Sequence, residues 1–444
     1  MLRIGQTVTG ELSQTRYVVK QQLGEGGQGT VYLVEGPDRR YALKWYNVEQ
    51  ATSEQREAIR KLVTEYQPPG GVAGRRFVWP IDLVTVDGSE RFGYLMDLID
   101  TERFTDLAAV WARRRRPPAR DILCEISCQL VQSYRALHLA GYCYRDISRS
   151  NVLFDPLQGD VLICDNDNVG INRQSTCQIW GTIEYMAPEL IRGDERHPST
   201  DTDLHSLAVL LFQLWIWHHP LQGDREYRVR CWDLQAKRLL YGVQPVFVFH
   251  PNDPSNRLPR DPEYQTAHRL WEICPPGLRE LFTRAFTHGL ADPRQRVTEG
   301  EWLLAFRQLR DATVRCPACR AVSVCDTRLQ EISCWNCRQT VPLPPRLRFH
   351  HATGPHVVFV NAETKLLRRH LGNSNDDDGV NDVIGEVTQN PMQPGSWGIR
   401  NLSQATWVAT SVDGKNVEVP PGKAVKLVAR LRLQLLGATA ELIS

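Results

Sequence analysis

The chain has 444 residues, of which 42% are hydrophobic and 23% charged, and its formal net charge at pH 7 is +2. This length allows two or three domains with cores of ordinary size. The balanced charge gives no long-range field that attracts nucleic acid, so we expect no nucleic-acid partner. The N-terminus lacks an apolar signal segment, and no run approaches the ~18 apolar residues that a membrane helix needs, so we expect a cytoplasmic protein that does not enter a membrane.

A glycine-rich loop joins the first two predicted strands. Residues 17–23 and 31–34 are the strands, and the loop between them carries Gly24, Gly26 and Gly29. Glycines let the backbone approach a phosphate closely and offer unobstructed N–H donors. A tight hairpin without a ligand has similar glycines. However, a strand follows this loop where a dinucleotide-binding fold has a helix, which favours a phosphate-binding hairpin of another type.

A third strand and a first helix follow. Residues 41–44 predict a strand that ends at Lys44. Residues 53–62 have helical spacing, with a candidate N-cap at Thr52 or Ser53.

The pattern then changes from strands to helices. Two more strands, at residues 77–84 and 92–98, are joined by an Asp-Gly turn. A long helix is predicted at residues 121–140. We therefore expect a boundary between two lobes at about residue 99.

Two acidic residues and an amide, Asp146, Asn151 and Asp165, have a spacing that suits phosphoryl transfer. Asp146 precedes the apolar run at residues 152–154, and a second apolar run at residues 161–163 leads to Asp165. These runs predict a hairpin that brings the three polar groups to one edge of a sheet. Phosphoryl transfer needs a carboxylate to accept the hydroxyl proton, and an amide and a carboxylate to hold magnesium.

These residues resemble the motifs of the protein-kinase superfamily. Its catalytic loop is H-R-D-x-x-x-x-N, and residues 144–151 are Y-R-D-I-S-R-S-N. D-N-D at residues 165–167 stands where kinases have D-F-G, and A-P-E is intact at residues 187–189. The resemblance implies ATP and Mg²⁺ as cofactors. It implies that Asp146 is the catalytic base and that the magnesium ligands are Asn151, Asp165 and Asp167.

The resemblance extends to the nucleotide site. Lys44, in Y-A-L-K, would hold the α and β phosphates, and Glu57 would orient it, with Glu54 and Glu65 as alternatives. The resemblance also implies that Gly24, Gly26 and Gly29 contact the phosphates, and that Val31 and Ala42 lie above the adenine with Leu153 below it. Met96 would be the gatekeeper residue, and Asp97 and Leu98 would belong to the hinge.

Later motifs follow the kinase order as well. Asp203 would bond to the backbone of the catalytic loop, and Arg296 would pair with Glu189. Ser175 and Thr176 lie where a regulatory phosphate could pair with the arginine beside the catalytic aspartate.

Two departures leave other functions open. Ser148 stands where serine/threonine kinases have a lysine, which leaves Arg149 as a substitute and makes a nucleotide-binding pseudokinase scaffold an alternative. Asp167 creates D-x-D, as in small-molecule kinases of the aminoglycoside phosphotransferase type, which is a second alternative.

Four of the twelve cysteines are paired as metal ligands are. Cys316 and Cys319 form one C-x-x-C pair, and Cys334 and Cys337 form another fourteen residues later. Four thiolates on two tight turns complete a tetrahedral Zn²⁺ site that stabilises a small fold. We expect a structural zinc ribbon at residues 313–341, with Cys325 outside the site.

The last segment, residues 346–444, predicts a β-sandwich. Its apolar runs are residues 357–360, 397–401, 406–410, 425–433 and 438–443. The strings WGIRNLSQATW and PGKAVKLVARLRLQLL resemble forkhead-associated domains, and an anion site could use Arg368, Arg369 and His370. A structural or docking sandwich is the alternative.

Taken together, we expect an α+β chain with a bilobal kinase-like fold at residues 1–312, followed by a zinc ribbon and an all-β sandwich. The strings YRDIS, ICDNDNVG and YMAPE resemble the bacterial serine/threonine kinases of the tellurite-resistance-associated triad. That resemblance implies a protein substrate, and as partners a von Willebrand factor A-type protein and a metal-dependent protein phosphatase.

Overall fold

A computed structural model describes residues 1–174, 181–327, 329–351, 354–362, 364–372, 382–390, 393 and 396–443. Contacts divide the chain into two units. The first unit comprises Met1–Pro118, Gln129–Glu272 and Arg279–Glu299. The second comprises Ala119–Cys128, Ile273–Leu278 and Gly300–Ser444.

The first unit begins with a closed barrel in the strand order β1-β2-β3-β4-β6-β5. Its strands are β1 (Thr7–Gly10), β2 (Arg16–Glu25), β3 (Gly29–Glu35), β4 (Arg40–Tyr46), β5 (Asp82–Thr85) and β6 (Phe92–Asp97). Side chains alternate between the two faces of a strand. Leu43 and Trp45 therefore enter the apolar core of the barrel, whereas Lys44 lies on the opposite face.

Helices form most of the remaining first unit, and three of them also contribute residues to the second. They are α1 (Ser53–Thr64), α2 (Gly71–Gly74), α3 (Leu107–Trp111), α4 (Arg120–Leu139), α5 (Pro188–Arg192), α6 (Thr200–Ile216), α7 (Asp224–Tyr227), α8 (Leu234–Arg238), α9 (Gln265–Glu272), α10 (Pro276–Ala285), α11 (His288–Ala291) and α12 (Glu299–Asp311). Thr52 caps α1 as expected, because its hydroxyl accepts a hydrogen bond from the backbone N–H of Gln55 at 3.1 Å.

Two short antiparallel strand pairs lie among these helices. β7 (Tyr142–Cys143) pairs with β10 (Gly170–Ile171), and β8 (Val152–Phe154) pairs with β9 (Val161–Ile163). The second pair is the hairpin predicted from the sequence.

In the second unit, two small hairpins precede two larger sheets. The hairpins are β11 (Thr313–Arg315) with β12 (Val322–Val324), and β13 (Glu331–Ser333) with β14 (Thr340–Pro342). The larger sheets contain β15 (Arg346–His351), β16 (Gly354–Phe359), β17 (Lys365–Leu367), β18 (Val383–Gln389), β19 (Trp397–Asn401), β20 (Trp407–Thr410), β21 (Asn416–Val419), β22 (Ala424–Lys426), β23 (Arg432–Leu435) and β24 (Ala438–Ile443).

The two sheets share one apolar core. Among the described residues their strand orders are β16-β15-β24-β23-β20-β21 and β17-β18-β19-β22. Side chains from both sheets, including Phe349, Ile399 and Trp407, are completely buried in that core. The run at residues 425–433, which we expected to be one strand, is divided between β22 and β23 of different sheets. Arg430, with φ of 57°, lies in the turn between them.

The second unit also includes part of the segment that we expected to belong to the kinase-like region. Arg310 and Asp311, at the end of α12, form ion pairs with Glu125 and Arg369 respectively. The pair of Asp311 and Arg369 joins the two sides of position 312, and both residues belong to the second unit. Across the part of the chain that the structure describes, no helix has both the length and the apolar character needed to cross a bilayer.

Candidate active site

The hairpin of β8 and β9 brings the predicted catalytic residues together. Val152 pairs with Ile163, and the N–H of Cys164 donates to the carbonyl of Asn151 at 2.8 Å. This register places Asn151 beside the segment that ends in Asp165.

Two residues, Asn151 and Thr182, hold the carboxylate of Asp146. Its Oδ2 accepts from Asn151 Nδ2 at 2.9 Å, and its Oδ1 accepts from the backbone N–H of Thr182 at 2.8 Å and from the Thr182 hydroxyl at 3.0 Å. A Cβ on Gly181 would lie 2.6 Å from the Arg145 carbonyl, so only glycine allows this close approach. The contact between Asp146 and Thr182 was not part of our sequence prediction.

A buried group of ions supports the catalytic loop from behind. Asp203 accepts from the backbone N–H groups of Tyr144 at 2.6 Å and Arg145 at 3.1 Å, which confirms its expected role. His138 lies between Asp203, at 3.0 Å, and Glu299. Burial alone would lower the pKa of His138, but hydrogen bonds to the two carboxylates outweigh burial and raise this pKa to about 9.

The pair of Arg296 and Glu189 is also confirmed. The guanidinium of Arg296 donates to both carboxylate oxygens of Glu189, at 2.8 and 2.7 Å. Such a bidentate pair fixes α5, which begins within A-P-E, to the segment that precedes α12.

Lys44 is buried among acceptors. Its side chain is 5% exposed, and its ammonium lies 3.0 Å from Asp167 Oδ2, 3.4 Å from Asp165 Oδ1 and 2.8 Å from Gln28 Oε1. Burial would lower the pKa of Lys44, but the two carboxylates outweigh it and raise the pKa. The lysine is therefore charged and points into the crevice that contains the D-N-D motif.

The structure corrects the assignment of Glu57 as the partner of this lysine. The Glu57 side chain is 56% exposed and lies 3.8 Å from Arg60. The buried face of α1 is instead formed by Gln55, Ile59 and Leu62. The alternatives at positions 54 and 65 are exposed as well.

Asp167, which we expected to be a third magnesium ligand, is buried beside Lys44. It is 1% exposed, and its Oδ2 accepts from the Tyr46 hydroxyl at 2.5 Å as well as from Lys44. Its Oδ1 lies 3.4 Å from the Tyr94 hydroxyl. Burial raises the pKa values of Tyr46 and Tyr94 well above the usual range, so both remain hydrogen-bond donors.

Asp165 remains available to a ligand. Its side chain is 39% exposed and its backbone is left-handed, with φ of 52°. Burial raises its pKa, and the Asp167 and Asp146 carboxylates add to this effect, although Lys44 opposes it. A crowded carboxylate beside the Asn151 amide is an oxygen donor set that fits Mg²⁺.

The predicted nucleotide contacts lie on one face of the barrel. Val31 is opposite Lys44 in the strand register, and Ala42 is opposite Met96. Directly opposed residues share a face of the sheet, so Val31, Ala42 and Met96 lie on the same face of the barrel as Lys44.

The other predicted nucleotide contacts lie in the glycine loop, at the hinge and in β8. A Cβ on Gly24 or Gly26 would meet only open space, whereas one on Gly29 would lie 2.3 Å from the Trp45 carbonyl. Asp97 pairs with Arg39 at 2.9 Å, and Leu98 is 38% exposed. The predicted floor, Leu153, is half-buried in β8.

The two residues considered as replacements for the kinase lysine have other partners. Ser148 is 1% exposed, and its hydroxyl lies 2.8 Å from that of Ser150. The guanidinium of Arg149 lies over the Trp111 ring, 4.9 Å from its centroid. Ser175 and Thr176 lie outside the described residues.

In the second unit, the four predicted zinc ligands converge. The Sγ atoms of Cys316, Cys319, Cys334 and Cys337 all lie within 4.8 Å of one another. The two knuckles have the same turn, because the N–H four residues after the first cysteine of each pair donates to that cysteine's carbonyl at 2.9 Å. Cys325 is buried in a separate apolar cluster.

The residues that we considered for an anion site have partners within the protein. Arg369 donates to both Asp311 oxygens, at 2.7 and 2.5 Å, and His370 Nε2 lies 3.3 Å from Asp311. Arg368 lies 3.6 Å from Asp382. The expected anion site is therefore corrected, because an internal carboxylate engages Arg369 and His370.

Asp311, His356 and His370 also have the composition of a metal site, since their ligand atoms lie within 4.8 Å of one another. However, His370 Nδ1 accepts from the backbone N–H of Leu367 at 3.1 Å. A neutral histidine with that acceptor carries its proton on Nε2, the nitrogen that faces Asp311. The group is thus an ion-pair and hydrogen-bond cluster.

Comparison with known proteins agrees with this geometry. Residues 17–275 match the protein kinase domain family. The chain is 32% identical over 221 residues to serine/threonine-protein kinase PkaB of Streptomyces coelicolor, covering 47% of this chain and 50% of that protein. It is 28% identical over 247 residues to serine/threonine-protein kinase PknL of Mycobacterium bovis, covering 53% and 59%.

A third relative, serine/threonine-protein kinase PrkC of Bacillus subtilis, is 25% identical over 240 residues, which cover 53% of this chain and 35% of that protein. The chain thus spans about half the length of the first two relatives. The match at residues 17–275 covers more than half of the chain and includes each residue of the crevice described above. The chain belongs to the protein kinase domain family.

Proposed function

We propose that the chain is a serine/threonine protein kinase that transfers the γ-phosphate of ATP to hydroxyl groups of proteins. The observation that carries this proposal is the position of the Asp146 carboxylate. Asn151 and Thr182 hold it, and Lys44 and Asp165 lie in the same crevice.

In this function Asp146 accepts the proton of the substrate hydroxyl. Asp146 is partly exposed, which would give its carboxylate access to the hydroxyl of an incoming side chain. Asn151 and Asp165 would hold Mg²⁺, which neutralises phosphate charge when it is bound. Lys44 and the N–H groups of the glycine loop would orient the phosphates.

The apolar face of the barrel would bind the adenine. Val31 and Ala42 would cover it, Leu153 would lie beneath it, and Met96 would limit the depth of the pocket. The backbone at Asp97 and Leu98 would bind the adenine edge. These roles are supported by the shared face of Val31, Ala42 and Met96 in the strand register.

Incubation with labelled ATP and Mg²⁺ tests the proposal. We expect protein-bound phosphate with the wild-type chain and a loss of about a thousandfold or more in Asp146→Asn, because general-base catalysis and positioning are both removed. Nucleotide affinity should change little, since Asp146 is not among the proposed ATP contacts. Equal labelling by wild type and Asp146→Asn would contradict this function.

A nucleotide-binding scaffold is the second candidate, favoured by the buried Ser148 in place of a lysine. It is distinguished by ATP binding without transfer in both wild type and Asp146→Asn. A small-molecule kinase would leave labelled phosphate in the soluble fraction. The D-x-D resemblance that suggested this last function loses support, because Asp167 is buried against Lys44.

We also propose that the four converging cysteines hold a structural Zn²⁺. Four thiolates prefer Zn²⁺ and hold it at about 2.3 Å in a tetrahedron. Purified protein should contain about one equivalent of zinc, and Cys334→Ser should lose it. Cys325→Ser is the matched control and should retain zinc. Zinc well below one equivalent in the wild type would contradict this site.

Recruitment of a protein partner is the function that we propose for the β-sheet region. The von Willebrand factor A-type protein and the metal-dependent phosphatase are the partners to test, because the sequence resemblance implies them. Co-purification of each candidate should be lost when residues 346–444 are deleted and retained in Asp146→Asn. Mass spectrometry of phosphosites after ATP treatment would identify the protein that is modified.

A further inference from the structure

We propose that Asp167, the last residue of D-N-D, is the counter-ion that positions Lys44, in the place of the glutamate that kinases carry on the first helix. This inference rests on the proposed kinase function. In that family the lysine of the third strand forms an ion pair with a helix glutamate, and the pair must be in place for transfer. In this chain the charge comes from the D-N-D segment.

The first step is the charge requirement of Lys44. A buried ammonium needs a paired carboxylate, since an unpaired buried charge is strongly destabilising. Among the described residues, two carboxylates and one amide surround Lys44, and the closer carboxylate is Asp167 at 3.0 Å. Asp165 lies at 3.4 Å and Gln28 belongs to the glycine loop.

The second step is the side chain that α1 presents to this centre. Gln55 is 5% exposed, and its Nε2 donates to the Tyr46 hydroxyl at 3.0 Å. Tyr46 in turn donates to Asp167 Oδ2 at 2.5 Å. Helix α1 is therefore linked to the carboxylate of Asp167 by a neutral amide and a phenol.

The third step is the division of labour between the two aspartates. Asp167 is 1% exposed and enclosed by Tyr46 and Tyr94, so an ion with its water ligands has no access without displacing these rings. Asp165 is 39% exposed and holds Lys44 more weakly. Asp165 is thus free for the metal, while Asp167 keeps Lys44 in position.

The main variant is Asp167→Asn, which removes the charge and keeps the shape. We expect kcat/KM for ATP to fall about a hundredfold and the affinity for a fluorescent ATP analogue to fall about tenfold, because Lys44 loses its fixed position. Asp87→Asn, the same change on an exposed turn, is the matched control and should leave both values unchanged.

Restoring the charge from the helix provides the specific readout. In Asp167→Asn/Gln55→Glu the new glutamate lies on the buried face of α1 that contacts Tyr46, so we expect kcat/KM to recover at least tenfold. A purely structural role for Asp167 would not allow such a rescue. Lys44→Met should also mask Asp167→Asn, because a residue that acts through Lys44 has no further effect once the ammonium is gone.

Tyr46→Phe covers the case in which Asp167→Asn does not fold. It removes one hydrogen bond to Asp167 and should lower ATP affinity about threefold to tenfold in the wild type but not in Lys44→Met. The proposal is overturned if Asp167→Asn and Tyr46→Phe bind ATP as the wild type does, if their effects add to that of Lys44→Met, or if Glu57→Gln causes the loss instead. If the wild type transfers no phosphate, the kinase function fails, while the ATP affinities still decide the role of Asp167.

Discussion

Two buried carboxylates, Asp167 in the first unit and Asp311 in the second, are built from similar chemistry and have different surroundings. Asp167 binds one lysine and two tyrosine hydroxyls. Asp311 binds the Arg369 guanidinium through both oxygens and accepts from His356 Nε2 at 2.8 Å. Burial would raise the pKa of Asp311, but His370 and Arg369 lower it well below its usual range.

The two sites differ in the charged groups that lie beside the buried carboxylate. Beside Asp167, the carboxylate of Asp165 is crowded and partly exposed, and its pKa is raised. Asp311 has a cation matched to it in bidentate geometry, and its side chain is 7% exposed. Around Lys44, two carboxylates share one cation, whereas Asp311 has its own guanidinium. We therefore propose that the additional carboxylate, Asp165, serves a ligand, and that the ion pair of Asp311 and Arg369 is structural.

The largest expected effect is the loss of phosphate transfer when Asp165, the additional carboxylate beside Lys44, is changed. Asp165→Asn should reduce phosphate transfer by at least a thousandfold, because a bound metal supplies several kcal/mol of transition-state stabilisation and each 1.4 kcal/mol is tenfold. The melting temperature of the metal-free protein should stay equal or rise, since repulsion with Asp167 and Asp146 is relieved. A clear loss of thermal stability would place Asp165 among the structural ions.

For the ion pair of Asp311 and Arg369 we expect the opposite result, a loss of stability without a loss of ATP binding. Asp311→Asn leaves the buried Arg369 unmatched and should lower the free energy of unfolding by about 3 kcal/mol, with ATP affinity unchanged. Urea denaturation measures the first quantity and fluorescent-nucleotide titration the second. Glu418→Gln, at an exposed position of β21, is the control and should stay within about 0.5 kcal/mol of wild type. Weaker ATP binding in Asp311→Asn would break the distinction.

His138 forms a buried structural ion pair with Asp203 and Glu299, and in this pair the cation can lose its charge as the pH rises. Its pKa in the folded protein is about 9, above the usual 6.5, so its charge stabilises the fold fully below pH 6.5, and this contribution is lost as the pH rises towards 9. His138→Gln should therefore cost roughly 2 to 3 kcal/mol at pH 6 and much less at pH 9. Unfolding free energies across that pH range check this, with the exposed His350→Gln as control; a pH-independent difference would contradict it.

The sequence was sufficient to predict the positions of side chains that are held by segments close to them in the chain. The hairpin of β8 and β9 placed Asn151 near Asp165 as expected, and the caps and helix spacing predicted α1 at Thr52 and Ser53. The protein kinase family match confirms the expected family. The spaced cysteine pairs predicted the convergence of four sulfur atoms, because each C-x-x-C turn is local.

Charge pairing between distant segments could not be predicted in the same way. Glu57 was chosen by residue type, although Ile59 and Leu62 define the buried face of α1 and Gln55 lies on it at the spacing of i, i+4 and i+7. That periodicity was a signal for Gln55. The contacts of Asp167 with Tyr46 and Tyr94 join residues more than seventy positions apart, and no local pattern indicates them.

The smallest expected effect on ATP binding comes from Tyr94, one of the two tyrosines that contact Asp167. Tyr46 donates at 2.5 Å, whereas the Tyr94 hydroxyl lies 3.4 Å from Asp167, near the limit of a hydrogen bond. Tyr94→Phe should therefore weaken ATP binding less than twofold and change stability by about 0.5 kcal/mol or less, because little hydrogen-bond energy is lost. Nucleotide titration of both phenylalanine variants makes the measurement. If Tyr94→Phe weakens ATP binding as much as Tyr46→Phe, both oxygens of Asp167 are needed to hold Lys44, and the bond to Tyr46 is not the dominant one.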